Sequence, residues 1–387
     1  MRTAAEIIAC AGGTDWEFSQ ADTQYLTHNI HRYSGKFIPQ IAGTAIQILT
    51  DRGETVFDPY LGSGTTALEA LLLDRCCVGV DLNPLALLIA GVKTSIIDPG
   101  VLRRFQQEFL DSISAVFDEQ IALAQPRYVG TFREFRQDAR YGDPWNRKWY
   151  QDHVLRQLIK IYDVITAVDD PCLRRIAQVS FSDILRRSSN ASSRYPNVMY
   201  DKNAREKPLP LRAFRETFRA NIERLLSLSE RFAGRTPAAC RIALENNTAL
   251  SLASCSADAI VTHPPYIGAI PYAEYGCLSL EWFGFSSKQL DAELTGGRRQ
   301  RKDVVDRFLG DYRRMFSESY RVLRPGGCAF YMVGNPTVNG ETVDLRARTE
   351  EYALNQGFRH LHTAVRHGVN RRSNHMGEEY LLFFQKE

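Results

Sequence analysis

Two carboxylates on either side of a glycine turn are the first residues in this chain whose types and spacing could do chemistry. Asp58 ends the apolar run Thr55-Val56-Phe57, and Pro59-Tyr60-Leu61-Gly62-Ser63-Gly64 leads into the helical stretch Thr65-Thr66-Ala67-Leu68-Glu69-Ala70-Leu71. Glycines after a strand let the backbone pass close to a ligand, and the next helix start supplies free amides. In a dinucleotide or P-loop site those amides hold phosphate. This turn has neither the P-loop lysine nor G-x-G-x-x-G spacing, and Asp58 would repel phosphate while attracting an ammonium group. Asp81 ends the next apolar run, Cys77-Val78-Gly79-Val80, where an acid can accept from both ribose hydroxyls. A ribose and an amino acid without phosphates point to S-adenosylmethionine. The turn alone is equally well an ordinary strand-turn-helix with a capping Asp.

A second constellation lies far downstream at Thr262-His263-Pro264-Pro265-Tyr266, after the strand-like run Ala257-Asp258-Ala259-Ile260-Val261. Two prolines at a strand end fix a rigid turn and point a carbonyl into the crevice above the sheet. Tyr266 offers a flat face, and stacking on such a face is worth about 1–3 kcal/mol per base. Taken singly, Pro-Pro-Tyr more often ends a strand beside a packed Tyr; its combination with the glycine turn and the acidic strand end favours chemistry. His263 brings one acceptor and one donor nitrogen when neutral, so it could accept from an amine, take up its proton, or turn away.

The elements that must hold these groups alternate. Asn83-Pro84 starts a helix after Asp81, with Asn83 as N-cap and Pro84 in the first turn. Strand, helix, strand, helix at this spacing predicts a parallel sheet with right-handed crossovers. After Asp98-Pro99-Gly100 the pattern turns helical: Val101, Phe105, Phe109, Ile113 and Val116; then Val154, Leu158, Tyr162 and Ile165; then Phe214, Phe218, Ile222 and Leu225. The alternation resumes near Arg241, with a helix around Phe308–Leu323, a turn at Arg324-Pro325-Gly326-Gly327, the strand Cys328–Val333, a helix near Asp344–Asn355 and strands near His360–Val365 and Tyr380–Phe384. The expected domains are residues 1–99 and 241–387 as the two halves of one α/β unit, with 100–240 a helical insertion.

Composition narrows the class. The 387 residues are 44% hydrophobic and 24% charged with a formal net charge of +3, so the chain reads as globular and any nucleic-acid surface must be local. No run approaches the ~20 apolar residues of a membrane span, and the N-terminal residues do not read as a signal peptide. Eight cysteines without a C-x-x-C pair argue against a disulfide framework or zinc cluster and fit a reducing cytoplasm.

Asp58-Pro59-Tyr60-Leu61-Gly62-Ser63-Gly64-Thr65-Thr66, Gly79-Val80-Asp81-Leu82-Asn83-Pro84 and Pro264-Pro265-Tyr266, in that order, resemble the S-adenosylmethionine-dependent amino-group DNA methyltransferases. His31-Arg32-Tyr33-Ser34-Gly35-Lys36-Phe37-Ile38-Pro39 is similar to the family's N-terminal cofactor segment, and Val322-Leu323-Arg324-Pro325-Gly326-Gly327 to its turn before the fifth strand. The likeness covers roughly residues 28–95 and 241–387. It implies a Rossmann-like class I methyltransferase fold with a mostly parallel seven-stranded sheet and an inserted helical subdomain serving target recognition. It implies that Asp58 and the Gly62–Gly64 turn line the methionine moiety, Asp81 holds the ribose and Asn247 meets the adenine, with Lys36 and Phe37 closing over the cofactor and Pro59, Thr65 and Asn83 also binding it. His263, Pro264, Pro265 and Tyr266 would form the catalytic turn, although the family's residue before Pro-Pro is usually Asp, Asn or Ser. The preceding Thr262, with Ile267-Gly268-Ala269-Ile270-Pro271-Tyr272 and Leu278-Ser279-Leu280-Glu281-Trp282, resembles the cytosine-N4 subgroup. Adenine N6, an RNA amine and an inactive binding homologue remain the alternatives.

The partners so implied are double-stranded DNA and a cognate restriction endonuclease. Three basic segments are candidates for phosphate: Arg298–Lys302, Arg366 through Arg371-Arg372, and Arg186 to Arg194. Trp145, Trp149 and Tyr150 are expected to pack in the insertion's core.

Overall fold

A computed structural model describes residues 2–36, 38–123, 139–195, 197–268, 270–295, 303–338, 340–367 and 377–387. Strand β1 (Thr55–Asp58) is buried beyond its first residue, as an apolar run at the centre of a parallel sheet must be. It pairs in parallel with β2 (Cys76–Asp81) on one side and β4 (Ala257–Thr262) on the other. Strand β3 (Cys240–Leu244) extends the sheet beyond β2, and β5 (Leu323–Gly334) extends it beyond β4. The closing hairpin of β6 (Phe358–Arg366) and β7 (Glu379–Lys386) is antiparallel, with β7 between β5 and β6. The order is therefore β3-β2-β1-β4-β5-β7-β6, the expected α/β arrangement. A two-residue ribbon pairs Thr337–Val338 with Glu341–Thr342 outside this sheet.

Helices α1 (Ala4–Gly13), α2 (Pro39–Leu49) and α3 (Thr65–Leu72) cover one face, where Ile41, Ala45, Ile46 and Ala67 meet Val56, Val261 and Phe330. Helix α4 (Pro84–Lys93) starts as its sequence predicts: the Asn83 side chain accepts from the Leu85 amide at 3.0 Å and Pro84 occupies the first turn.

Four longer helices follow: α5 (Pro99–Leu123), α6 (Asp152–Thr166), α7 (Pro171–Ser188) and α8 (Pro210–Arg231). Phe105, Phe109, Leu158, Phe181, Phe214 and Phe218 share one apolar cluster with Leu85, Ile89 and Val92 of α4. Trp149 and Tyr150 are buried in that cluster. Helix α7 was not legible in the sequence, because serines interrupt its apolar face. Its last turn takes in Arg186–Ser188, and Ser188, Ser189 and Asn190 are buried, so the expected polar loop begins as core. Helices α9 (Val304–Val322) and α10 (Leu345–Gln356) cover the other face, with Phe308, Tyr312 and Phe316 against Phe57, Ile260 and Tyr331.

Arg324-Pro325-Gly326-Gly327 is a second departure, since it lies inside β5 rather than before it. Leu323 pairs with Ala257 and Cys328 with Ala259, so the segment is a bulge that absorbs the extra residues. A Cβ on Gly327 would sit 2.8 Å from the Asp258 carbonyl, which is why the bulge needs glycine there.

Gly64 is a third. Its φ is +79° at the start of α3, and an added Cβ would lie 2.8 Å from the Ala90 Cβ. Its requirement is therefore close packing of α3 against α4 as well as the left-handed turn. Gly64→Ala is expected to lose about 2–4 kcal/mol from strain and overpacking together. Adding Ala90→Gly should recover part of that loss, the share owed to packing, in urea unfolding.

Candidate active site

The C-terminal ends of β1, β2 and β4 meet at one crevice, lined among others by Asp58, Gly62, Asp81, Asn247, His263 and Pro265. Asn247 meets Pro59 across 188 residues and Thr262, beside His263, meets Asp58 across 204, and the parallel register brings them together.

Asp58 is 1% exposed. Its Oδ1 accepts from the Thr262 hydroxyl at 2.6 Å and from the Tyr60 amide at 3.0 Å. Burial pushes its carboxyl up to about 6, opposed by the hydroxyls of Thr262 and Thr66 and the Tyr60 amide. Asp81 accepts from the Gly62 amide through Oδ2 and from the Asn83 amide through Oδ1, both at 2.8 Å. One carboxylate thereby ties the glycine turn to the start of α4. Burial raises its pKa, against those same amides, and each oxygen keeps a lone pair for a hydroxyl. Gly62 has φ +50°, a conformation L side chains rarely adopt.

Pro59, Thr65 and Asn83 line the crevice as expected, and Lys36 does too. The Lys36 ammonium, however, donates to the His28 carbonyl at 2.7 Å, and burial lowers its pKa. The Asn247 amide likewise donates at 2.9 Å to the Pro59 carbonyl, bracing the glycine turn. Phe37 lies outside the described residues, as do Arg298–Lys302 and Arg371-Arg372.

Gly64 packs on Ala90, and Pro264 is buried between His263 and Pro265, which line the crevice. Two expectations need correction. Tyr266 offers no stacking face: it is 4% exposed, its ring packs where a Cβ on Gly334 would lie 3.3 Å away, and its hydroxyl donates to Glu379 Oε1 at 3.0 Å. Arg366 is no phosphate ligand, being 6% exposed and ion-paired with Glu379 Oε2 at 2.6 Å.

His263 is held through the same hydroxyl. Its Nε2 lies 2.8 Å from the Tyr266 oxygen. Burial lowers the imidazole pKa to about 4, helped by Arg366 and opposed by the Gly35 backbone beside it, so the ring is neutral at pH 7.

Sequence reasoning assigned no role to Tyr33, Tyr272, Thr262 or Glu379. Tyr33 and Tyr272 stack with ring centroids 6.1 Å apart at 27° and line both the crevice and a second, larger groove. Both sit in segments that the family resemblance had marked. Glu379 gave no signal, because it reaches the site only as the cross-strand partner of Arg366.

The crevice fits S-adenosylmethionine on its own chemistry. Its buried Asp58 carboxylate would suit an ammonium and its strand-end Asp81 carboxylate a ribose. The Thr65 hydroxyl, buried and lining the same space, has no hydrogen-bond partner among the described residues.

Residues 14–90, which carry Tyr33, Lys36, Asp58, the glycine turn and Asp81, match the N6/N4 methyltransferase family model, described as DNA methylase. Along most of its length the chain is similar to the Type II methyltransferase M.MvaI of Kocuria varians, 22% identical over 92% of this chain and 87% of that protein. It is also similar to the Type II methyltransferase M.BsoBI of Geobacillus stearothermophilus, 24% identical over 87% of this chain and 68% of that one. Among solved structures, a SAM-dependent methyltransferase of Methanosarcina mazei aligns over 88% of this chain and 96% of its own, at 10% identity and TM-score 0.35. In its acid-glycine-acid crevice and in these sequence matches the chain is similar to the S-adenosylmethionine-dependent amino-group DNA methyltransferases.

Proposed function

We propose that the protein methylates an exocyclic base amine in DNA, with cytosine N4 as the target. The observation that carries this reading is the His263-Pro264-Pro265 turn opening on the same crevice as Asp58 and Asp81. The bound cofactor supplies a sulfonium methyl group. Asp58, ionised, holds its ammonium, and Asp81 accepts from its ribose. An exocyclic amine is a weak nucleophile because its lone pair is conjugated into the ring. A main-chain carbonyl of the Pro-Pro turn accepts from the amine and draws it toward tetrahedral geometry, and orientation contributes the rest. The Tyr33–Tyr272 pair offers the flat surface that Tyr266 does not. The target base has to leave its stack, at a cost of a few kcal/mol. The choice of N4 rests on the Thr262 and Ile267–Tyr272 resemblance.

The larger groove supports a nucleic-acid substrate. Its walls carry Arg32, Arg186, Arg187, Lys207 and Arg224 against Asp183 and Glu216, and it reaches the crevice through Tyr33 and Tyr272. A chain with a net charge of only +3 thus gathers cations beside its active crevice. No helix among the described residues is long and apolar enough to cross a membrane.

Nucleoside mass spectrometry of DNA from cells expressing the protein should show N4-methylcytosine, absent with Asp58→Asn. An N6-methyladenine peak instead would overturn the choice of base, and unmodified DNA would overturn the reading. Cofactor affinity should rise about tenfold per pH unit up to pH about 6 and then level, because binding needs the Asp58 carboxylate and must release its proton below that pH. Asp58→Asn should bind weakly with no such slope in calorimetric titrations. Without cofactor the sign reverses for stability: the raised Asp58 pKa contributes most below its unfolded value, and the contribution is lost as pH rises through about 6. Arg32→Gln with Arg187→Gln should flatten the salt dependence of DNA affinity by about 0.9 in slope for each phosphate contact removed, with cofactor binding unchanged.

A further inference from the structure

His263 stands where the resembled family carries a short polar side chain, and its surroundings give it a definite hydrogen-bond direction. Arg366 Nη1 donates to Glu379 Oε2 at 2.6 Å. Glu379 Oε1 accepts from the Tyr266 hydroxyl at 3.0 Å, and the Tyr266 oxygen lies 2.8 Å from His263 Nε2. Arg366 and Tyr266 are buried, and His263 is half-buried in the crevice wall. Arg366 and Glu379 face each other across the last pair of the β6–β7 hairpin, so the sheet itself fixes the outer end of this chain.

The direction follows from counting hydrogens. An arginine-paired carboxylate only accepts, and a tyrosine hydroxyl has one hydrogen to give. That hydrogen goes to Glu379, so the hydrogen in the His263–Tyr266 contact belongs to Nε2. On its other side the ring lies beside the Gly35 backbone, in the segment that walls the crevice between Tyr33 and Lys36. A Cβ on Gly35 would stand 2.6 Å from the Tyr272 hydroxyl oxygen, so this segment is packed closely on Tyr272.

We infer that Arg366, Glu379 and Tyr266 form a positioning relay that commits His263 to the Nε2–H tautomer and locks the His263-Pro264-Pro265 turn between the β6–β7 hairpin and the Gly35 segment. His263 is then a strut, and the main-chain carbonyl of the turn is the acceptor for the amine. A histidine can stand here because its ring spans the distance to Tyr266. The kinetic consequence rests on the methyl-transfer reading, whereas the tautomer does not.

Reversing the relay tests it. In Glu379→Gln, Arg366 takes the amide oxygen and turns the amide nitrogen toward Tyr266. The tyrosine then gives its hydrogen to His263 Nε2, and the ring proton moves to Nδ1. Nitrogen-15 spectra of histidine-labelled protein, in which His263→Gln identifies one of eight histidines, should show Nε2–H in the native chain and Nδ1–H in Glu379→Gln. Tyr266→Phe, which keeps the ring, should also move the proton off Nε2. For both variants kcat should fall about tenfold or more, with the cofactor dissociation constant within about twofold of native. A native Nδ1–H ring, or the same tautomer in all three proteins, would overturn the relay. Equal losses of cofactor binding and thermal stability with an unchanged tautomer would reduce Tyr266 and Glu379 to packing. The expected tautomers in a protein that methylates no DNA would leave the relay standing and sink only the proposed function.

Discussion

The hydrogen bond between Asp58 and Thr262, 2.6 Å long and out of contact with water, is the constraint on which the site depends. It joins the ends of β1 and β4, and thus the glycine turn to the Pro-Pro turn. A carboxylate removed from water is stable only when its lone pairs are used. Thr262, Thr66 and the Tyr60 amide satisfy Asp58 from one strand, one helix start and one turn. The same burial raises its pKa.

Asp81 repeats this logic one strand over. By accepting from Gly62 and Asn83 it holds the glycine turn against the start of α4. Helix α4 in turn shares its apolar face with α5 through α8, and the basic groove opens between those helices and the Tyr33 segment. A polar contact at the sheet edge and an apolar contact behind it therefore set the same geometry, the angle at which the inserted helices face the crevice.

Much of this was legible in the residues. The strand-turn-helix at Asp58, the Asn83-Pro84 cap and the helical periods at Phe105, Leu158 and Phe218 all reflect local rules of backbone conformation and alternation. Helix α7 escaped because buried serines, which bond back to the preceding turn as Ser180 does to Ile176, look polar in sequence and behave as core. The bulge at Arg324–Gly327 escaped because a Pro-Gly-Gly string reads as a turn whether or not its neighbours pair around it.

The sequence by itself determined which groups converge: two acids at strand ends, a glycine turn and a Pro-Pro turn form one crevice because parallel strands all end on the same edge. Only the tertiary structure decided where the side chains point. Tyr266 faces Glu379 instead of the crevice, Arg366 is an internal ion pair instead of a phosphate contact, and Asn247 braces Pro59. Side-chain direction depends on partners that strand pairing brings from distant parts of the chain, and Glu379 meets Tyr266 only because β7 enters the sheet antiparallel beside β5.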